Sequence, residues 1–128
     1  MAKEITMSGR LVFDDGKTSV TFDKGVIKVD SAGKRVIQNV QTIQTTAETI
    51  GRGEPASGGN LPIVPGVAMF FNRDQVNSVQ ISSASGGLNF LKLLPGEFAG
   101  PMRLARDATL NAVAQVAAVE LEYIIVED

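Results

Sequence analysis

The chain has 128 residues, enough for one domain with a sizeable core and too few for two independent ones. Its 12 basic and 14 acidic residues leave a formal charge of -2, which offers no electrostatic footprint for nucleic acid or an anionic membrane. The absence of cysteine and histidine removes disulfides, thiol nucleophiles, thiolate metal sites, Ser-His-Asp arrangements and the commonest general base.

Apolar residues make up 44% of the chain but aromatics only 5%, with one Tyr and no Trp, so the core has to come from Val, Ile, Leu, Ala and Phe. Few Tyr and Trp also means few of the side chains that dominate interface hot spots and few platforms on which bases stack. The opening MAKEITMSGR holds no apolar stretch of signal-peptide length, and no apolar run elsewhere is long enough to span a bilayer. A soluble, intracellularly made product is expected.

From Ile5, the residues Ile5, Met7, Gly9, Leu11 and Phe13 fall two apart with mostly polar neighbours between them, the alternation of a strand with one wet face. Asp14-Asp15-Gly16 marks a turn, Val20 and Phe22 continue the period, and Asp23-Lys24-Gly25 punctuates it again before Ile27 and Val29. Two hairpin-like connections are therefore expected. The stretch from Arg35 to Ile50 is rich in Val, Ile, Thr and Gln, so it reads as extended structure suited to a solvated face or to a partner. Residues 51–60, with four glycines and a proline, are expected to form a long mobile loop, and residues 1–5 an extended arm.

Beyond Pro65, Val67 to Phe71 is a continuous apolar run, Asn72-Arg73-Asp74 is turn-like, and Val79 and Ile81 alternate against polar neighbours, which reads as a further hairpin. Leu88 to Leu94 is a mostly apolar strand, and Pro95-Gly96 suits the centre of a type II turn. Between Pro101 and Ala118, the spacing of Met102, Ala105, Ala108, Ala112 and Val116 is compatible with a short helix within 102–118. At the end Val119, Leu121, Tyr123 and Ile125 alternate with Glu120, Glu122, Ile124 and Val126, giving a long strand with one core face. Strands recur at the spacing of an antiparallel β-sandwich, so the expected fold is all-β, a single domain over 1–128.

Chemistry is scarce in this pattern. Asp14, Asp15, Asp23, Asp30 and Asp74 lie in or beside expected turns, where a short carboxylate closes the local backbone. Asp107 reads as a solvated or ion-paired group, and Glu120 with Glu122 as a solvated edge. Gly51-Arg52-Gly53 lacks the spacing and the Gly-Lys-Ser/Thr ending of a phosphate loop, and Asp14-Asp15-Gly16 supplies too few oxygen ligands for calcium. Arg52 and Glu54 could order against a partner. No catalytic, cofactor-binding or metal residue is expected, and no cofactor.

Met69-Phe70-Phe71-Asn72-Arg73-Asp74-Gln75-Val76-Asn77-Ser78-Val79, then Phe90-Leu91-Lys92-Leu93-Leu94-Pro95-Gly96-Glu97-Phe98, and finally Leu121-Glu122-Tyr123-Ile124-Ile125-Val126-Glu127 together resemble a group of small virion proteins of tailed bacteriophages. Val40-Gln41-Thr42-Ile43 with Thr46-Ala47-Glu48 is also similar, so the likeness covers about residues 36–128. The resemblance implies a jelly-roll β-sandwich serving as a head cement or decoration protein, or as a neck, tail or baseplate fitting. It implies the major capsid protein and copies of the chain itself, as dimer or trimer, for partners, with no nucleic acid, membrane or small-molecule substrate, and a place in the virion after synthesis in the host cytoplasm. It also treats Leu110 to Val113 as strand rather than helix. The competing readings are a jelly-roll module that binds a glycan or receptor, for which Tyr123 is the one available tyrosine, and an enzyme of small β fold.

Overall fold

The computed structural model describes residues 5–30, 35–50, 65–82, 89–105 and 109–128. The chain divides into two compact units, Met1–Ser31 and Ala32–Asp128.

The first unit is a β-hairpin of β1 (Ile5–Asp14) and β2 (Ser19–Val29), paired antiparallel. Its reversal lies where Asp14-Asp15-Gly16 places it. The Asp14 carboxylate accepts the Gly16 N–H at 2.9 Å, and the Asp15 carboxylate accepts the Lys17 and Thr18 N–H groups at 2.9 and 2.6 Å, which satisfies the backbone of the tight loop.

The second expected connection, at Asp23-Lys24-Gly25, does not reverse the chain, because β2 runs straight through it. The Asp23 carboxylate does accept the Gly25 N–H at 2.8 Å, the local chemistry of a turn. However, Gly25 at φ +68° forms a bulge instead: the pairing jumps from Ser8↔Val26 to Arg10↔Asp23, so Lys24 and Gly25 together oppose Gly9. The sequence signal was a true local distortion of the wrong amplitude.

The second unit holds eight strands: β3 (Val36–Ile43), β4 (Glu48–Thr49), β5 (Pro65–Asn72), β6 (Val79–Ser82), β7 (Asn89–Leu93), β8 (Phe98–Arg103), β9 (Asn111–Ala114) and β10 (Val119–Glu127). They form two antiparallel four-stranded sheets in the orders β3-β10-β5-β8 and β4-β9-β6-β7. Every connection between successive strands crosses from one sheet to the other except β6 to β7, which is the strand order of a jelly roll. One core joins the sheets: Ile37, Ile43, Phe70, Leu121, Tyr123 and Ile125 from the first, Val79, Ile81, Leu93, Ala112 and Ala114 from the second. The fold is an all-β antiparallel sandwich, as the strand spacing implies.

The jelly-roll order corrects the hairpin expected between Val67–Phe71 and Asn77–Ser82. These strands belong to opposite sheets, and Asn72 is the corner. Fully buried, its side-chain amide donates to the carbonyls of Asn77 and Leu93 at 2.9 and 3.1 Å, and its side-chain oxygen accepts the Asp74 N–H at 3.0 Å. Asp74 then accepts the N–H groups of Val76 and Asn77 at 2.9 and 2.5 Å. A buried polar side chain with all its groups paired fixes one geometry and strongly disfavours others. Pro95-Gly96 forms the expected type II turn, with the Glu97 N–H donating to the Leu94 carbonyl at 3.0 Å and Gly96 at φ +78°.

No helix occurs among the described residues of 102–118. Strand β8 ends at Arg103, and β9 is followed by a bend at 115–117. Ala112 and Ala114 are core residues of β9, so small side chains that favour helix are used here to fit a thin sandwich layer, and packing overrides propensity. The Gly-rich segment 51–60, residues 1–4 of the expected arm, Arg52, Glu54 and Asp107 lie outside the described residues; Ile5 is the first residue of β1.

Candidate functional site

The bulge at Gly25 decides which side chains of the hairpin share a face. Along β1 the odd positions Ile5, Met7, Leu11 and Phe13 point one way. Their partners are Val29, Ile27, Phe22 and Val20, odd-numbered on one side of the bulge and even-numbered on the other. The one extra residue in β2 thus moves the alternation by one step and brings eight apolar side chains onto a single face. The opposite face carries Thr6, Ser8, Arg10, Thr21, Asp23 and Lys28, with Val12 and Val26 among them.

This apolar face is left largely open. Leu11, Phe13, Val20, Phe22 and Ile27 are each more than half exposed, from 51% to 63%, while Ile5 is buried and Met7 and Val29 are half-buried. Lys24 sits 4.7 Å from the centroid of the Phe22 ring, which shields one aromatic with a cation and leaves the rest. A two-stranded hairpin has no second layer of its own and is marginal in water; a third strand, a helix or a partner normally supplies it. An exposed apolar stripe of this kind makes the face a candidate interaction surface.

The sandwich carries a second open apolar area on the outer face of β3-β10-β5-β8. Cross-strand neighbours there are Phe98, Phe71, Glu122 and Val40 in one row, and Met69, Ile124 and Gln38 in the next. Phe98 is 63% exposed and Phe71 37%. An open groove of about 200 Å³ runs over Gln38, Met69, Phe71, Glu122 and Ile124.

The carboxylates singled out from the sequence separate into structural roles. Asp14, Asp15, Asp23 and Asp74 bind turn or bulge backbone as described. Their geometry shows in Asp74, whose carboxyl is held below its ordinary value by the N–H groups of Asn77 and Val76, and in Asp15, held down by those of Thr18 and Lys17. Asp30 follows the end of β2. Glu120 and Glu122 do lie on the outward face of β10, opposite Thr42 and Val40. However, β10 is a central strand of its sheet rather than the expected solvated edge. Among the described residues no group of three or more acidic side chains is placed to hold a metal ion.

Tyr123 is buried at 2% exposure. Its hydroxyl donates to Gln41 Oε1 at 2.8 Å and accepts from Asn39 Nδ2 at 3.4 Å, while Gln41 Nε2 donates to Glu48 at 3.0 Å. The polar content of β3 is thereby explained: Asn39 and Gln41 face inward to meet the tyrosine. The functionally suggestive feature that sequence reasoning missed is the common apolar face of the hairpin, whose signal was the phase change between Val20-x-Phe22 and Ile27-x-Val29 across Gly25.

The three segments that carry the phage resemblance occupy the Asn72 corner, the Pro95-Gly96 turn and the central strand β10. At the last of these Glu127 is paired with Arg35, whose guanidinium donates to both carboxylate oxygens at 3.1 and 2.9 Å. All are positions that build the sandwich. No protein-family model, curated protein or solved structure matches the chain.

Proposed function

We propose that this chain is a non-enzymatic structural protein of a tailed-phage particle, a cement or decoration protein that binds the major capsid protein and copies of itself and stabilises the head shell. The observation that carries the reading is the hairpin of residues 5–29, which leaves five large apolar side chains more than half exposed on one face. Such a face needs a second layer to be stable in water, and another chain can supply it. Its support from the sequence is the resemblance over residues 36–128, whose segments fall on the corner, turn and central strand of a jelly roll.

The outer face around Phe71 and Phe98 offers a further contact area, and many modest contacts repeated over a shell act together without a single dominant hot spot. The glycan-binding alternative loses its one tyrosine, since Tyr123 is buried in the sandwich. Co-expression with a candidate major capsid protein tests the proposal. Stoichiometric incorporation into shells, seen by gel and electron microscopy, is the expected result. Shells that form normally while the chain stays in the supernatant would sink it, and incorporation at a neck, tail or baseplate would move the role to a fitting.

A further inference from the structure

We infer that the hairpin of residues 5–29 is the self-assembly element of this chain, and that three copies close their hairpins edge to edge into a six-stranded ring with the apolar faces inside. The inference rests on the reading that the chain works by assembly with other protein chains, and it names the partner of the hairpin.

Two needs of the hairpin are unmet within one chain, and they point the same way. The first is the apolar face. Taking full exposure of an aromatic side chain as roughly 150–250 Å², and of an aliphatic one as somewhat less, the two phenylalanines and three aliphatic side chains, each more than half exposed, amount to on the order of 400–500 Å² per copy. The three faces of a ring together come to roughly 1,200–1,500 Å², the lower end of a specific interface. The second need is the backbone. Among the described residues the hairpin sheet contains β1 and β2 alone, so each strand, 10 and 11 residues long, has one side of its N–H and C=O ladder with no described strand beside it. Long apolar edges of this kind invite further pairing, and full closure removes them altogether.

Face-to-face stacking of two hairpins would cover the apolar side chains and leave four edges open. Ring closure meets both needs at once, because β2 of one copy lies antiparallel beside β1 of the next and every inward side chain is then enclosed. Two hairpins give only four strands, too narrow to hold Phe13 and Phe22 from each copy; three give six, between the five strands of a partly open barrel and the eight of a small closed one. Charge permits it. Residues 5–30 carry four basic and four acidic side chains, so identical hairpins meet without net repulsion; the eight inward side chains are themselves uncharged, and the Lys24 ammonium, 4.7 Å from the Phe22 ring centroid, is the cation set beside them. That net neutrality also weighs against an anionic membrane as the cover.

The test is the mass of the full-length protein in solution, by light scattering and native mass spectrometry, for the natural chain, for the double variant Phe13→Ser with Phe22→Ser, and for Phe98→Ser on the sandwich. The expected result is three times the 13.5 kDa chain mass for the natural protein and Phe98→Ser, and the single-chain mass for the double variant. A monomeric or dimeric natural protein overturns the inference, as does a trimer that survives the double variant or dissociates with Phe98→Ser. Flotation of a monomer with lipid vesicles would also overturn it. Should the double variant unfold, hydrogen exchange on the natural protein decides: the ring protects amides along both strands in succession, whereas an isolated hairpin leaves alternate ones fast. A trimer that forms but never joins shells would remove the cement role and leave the ring standing, and a monomer that decorates shells would do the reverse.

Discussion

The hairpin of β1 and β2 and the strand β10 are written in the same code and end in opposite environments. In both, large apolar side chains stand two apart along an extended chain. In β10 they are Val119, Leu121, Tyr123 and Ile125, all at most 2% exposed; in the hairpin, Leu11, Phe13, Val20, Phe22 and Ile27 are all above half exposed. Alternation therefore reports that a face is to be covered and leaves open what covers it. For β10 the cover is the opposite sheet of its own unit. The hairpin has no second layer among the described residues of its own unit, and under the proposed assembly the cover is another copy.

The contrast is most easily broken by deleting one aromatic from each unit. Phe70→Ala removes a fully buried side chain from the joint core of both sheets and is expected to cost about 3–5 kcal/mol, read as a fall in the denaturant midpoint of the sandwich. Phe22→Ala removes a side chain 57% exposed, and the same midpoint is expected to move by no more than about 0.5 kcal/mol. Equal losses from the two substitutions would mean that the hairpin and the sandwich are one energetic body and that the comparison fails.

A subtler change sharpens the hairpin side alone. Gly25 adopts φ +68°, and a Cβ there would meet nothing within 4 Å, so Gly25→Ala should cost only the left-handed backbone, about 1–2 kcal/mol. Because that residue sets the phase between Val20-Phe22 and Ile27-Val29, the loss should appear as faster amide exchange across Ser8–Arg10 and Asp23–Val26 with the sandwich midpoint unchanged. Unaltered exchange in the hairpin would show that the bulge is not what holds the eight apolar side chains on one face.

Much of this was legible in the sequence, and the failures share a cause. The strands of the sandwich, the Asp14-Asp15-Gly16 reversal and the Pro95-Gly96 turn follow from local chemistry, so they could be read locally. Which strands pair could not, because Asn72 and its buried hydrogen bonds send β5 and β6 to different sheets, where a neighbouring hairpin is the simpler reading. The short helix that the spacing within 102–118 allowed is absent among the described residues for the same reason: Ala112 and Ala114 are set by the layer they fill. Asp23-Lys24-Gly25 has the same Asp-to-Gly hydrogen bond as the true turn, and only the conformation at Gly25 separates a bulge from a reversal. The hairpin surface was invisible since an alternating strand looks identical whether its cover is internal or external.

The smallest expected effect is ionic, and it again separates the units. In the sandwich, hydrogen bonds from the Arg35 guanidinium hold the Glu127 carboxyl below its ordinary 4.5, and the N–H groups of Asn77 and Val76 hold Asp74 below 3.8. In the hairpin, the N–H groups of Thr18 and Lys17 do the same for Asp15. Each is a folded pKa lowered relative to the unfolded chain, so the unfolded state binds more protons in that range. The stabilisation is complete above the ordinary carboxyl value and is lost as pH falls through the lowered one. Urea midpoints of the sandwich should therefore be flat from about pH 7 to about pH 5 and decline below that. Glu127→Gln should lower the neutral midpoint slightly and flatten the acid decline, a modest change because the Arg35 side chain is 64% exposed and water screens the pair. Asp15→Asn should leave the sandwich's acid decline as it was and loosen only the 14–18 turn, since that carboxylate binds no group outside its own loop; an acid decline that Asp15→Asn flattens and Glu127→Gln does not would assign the titration to the hairpin and reverse the comparison.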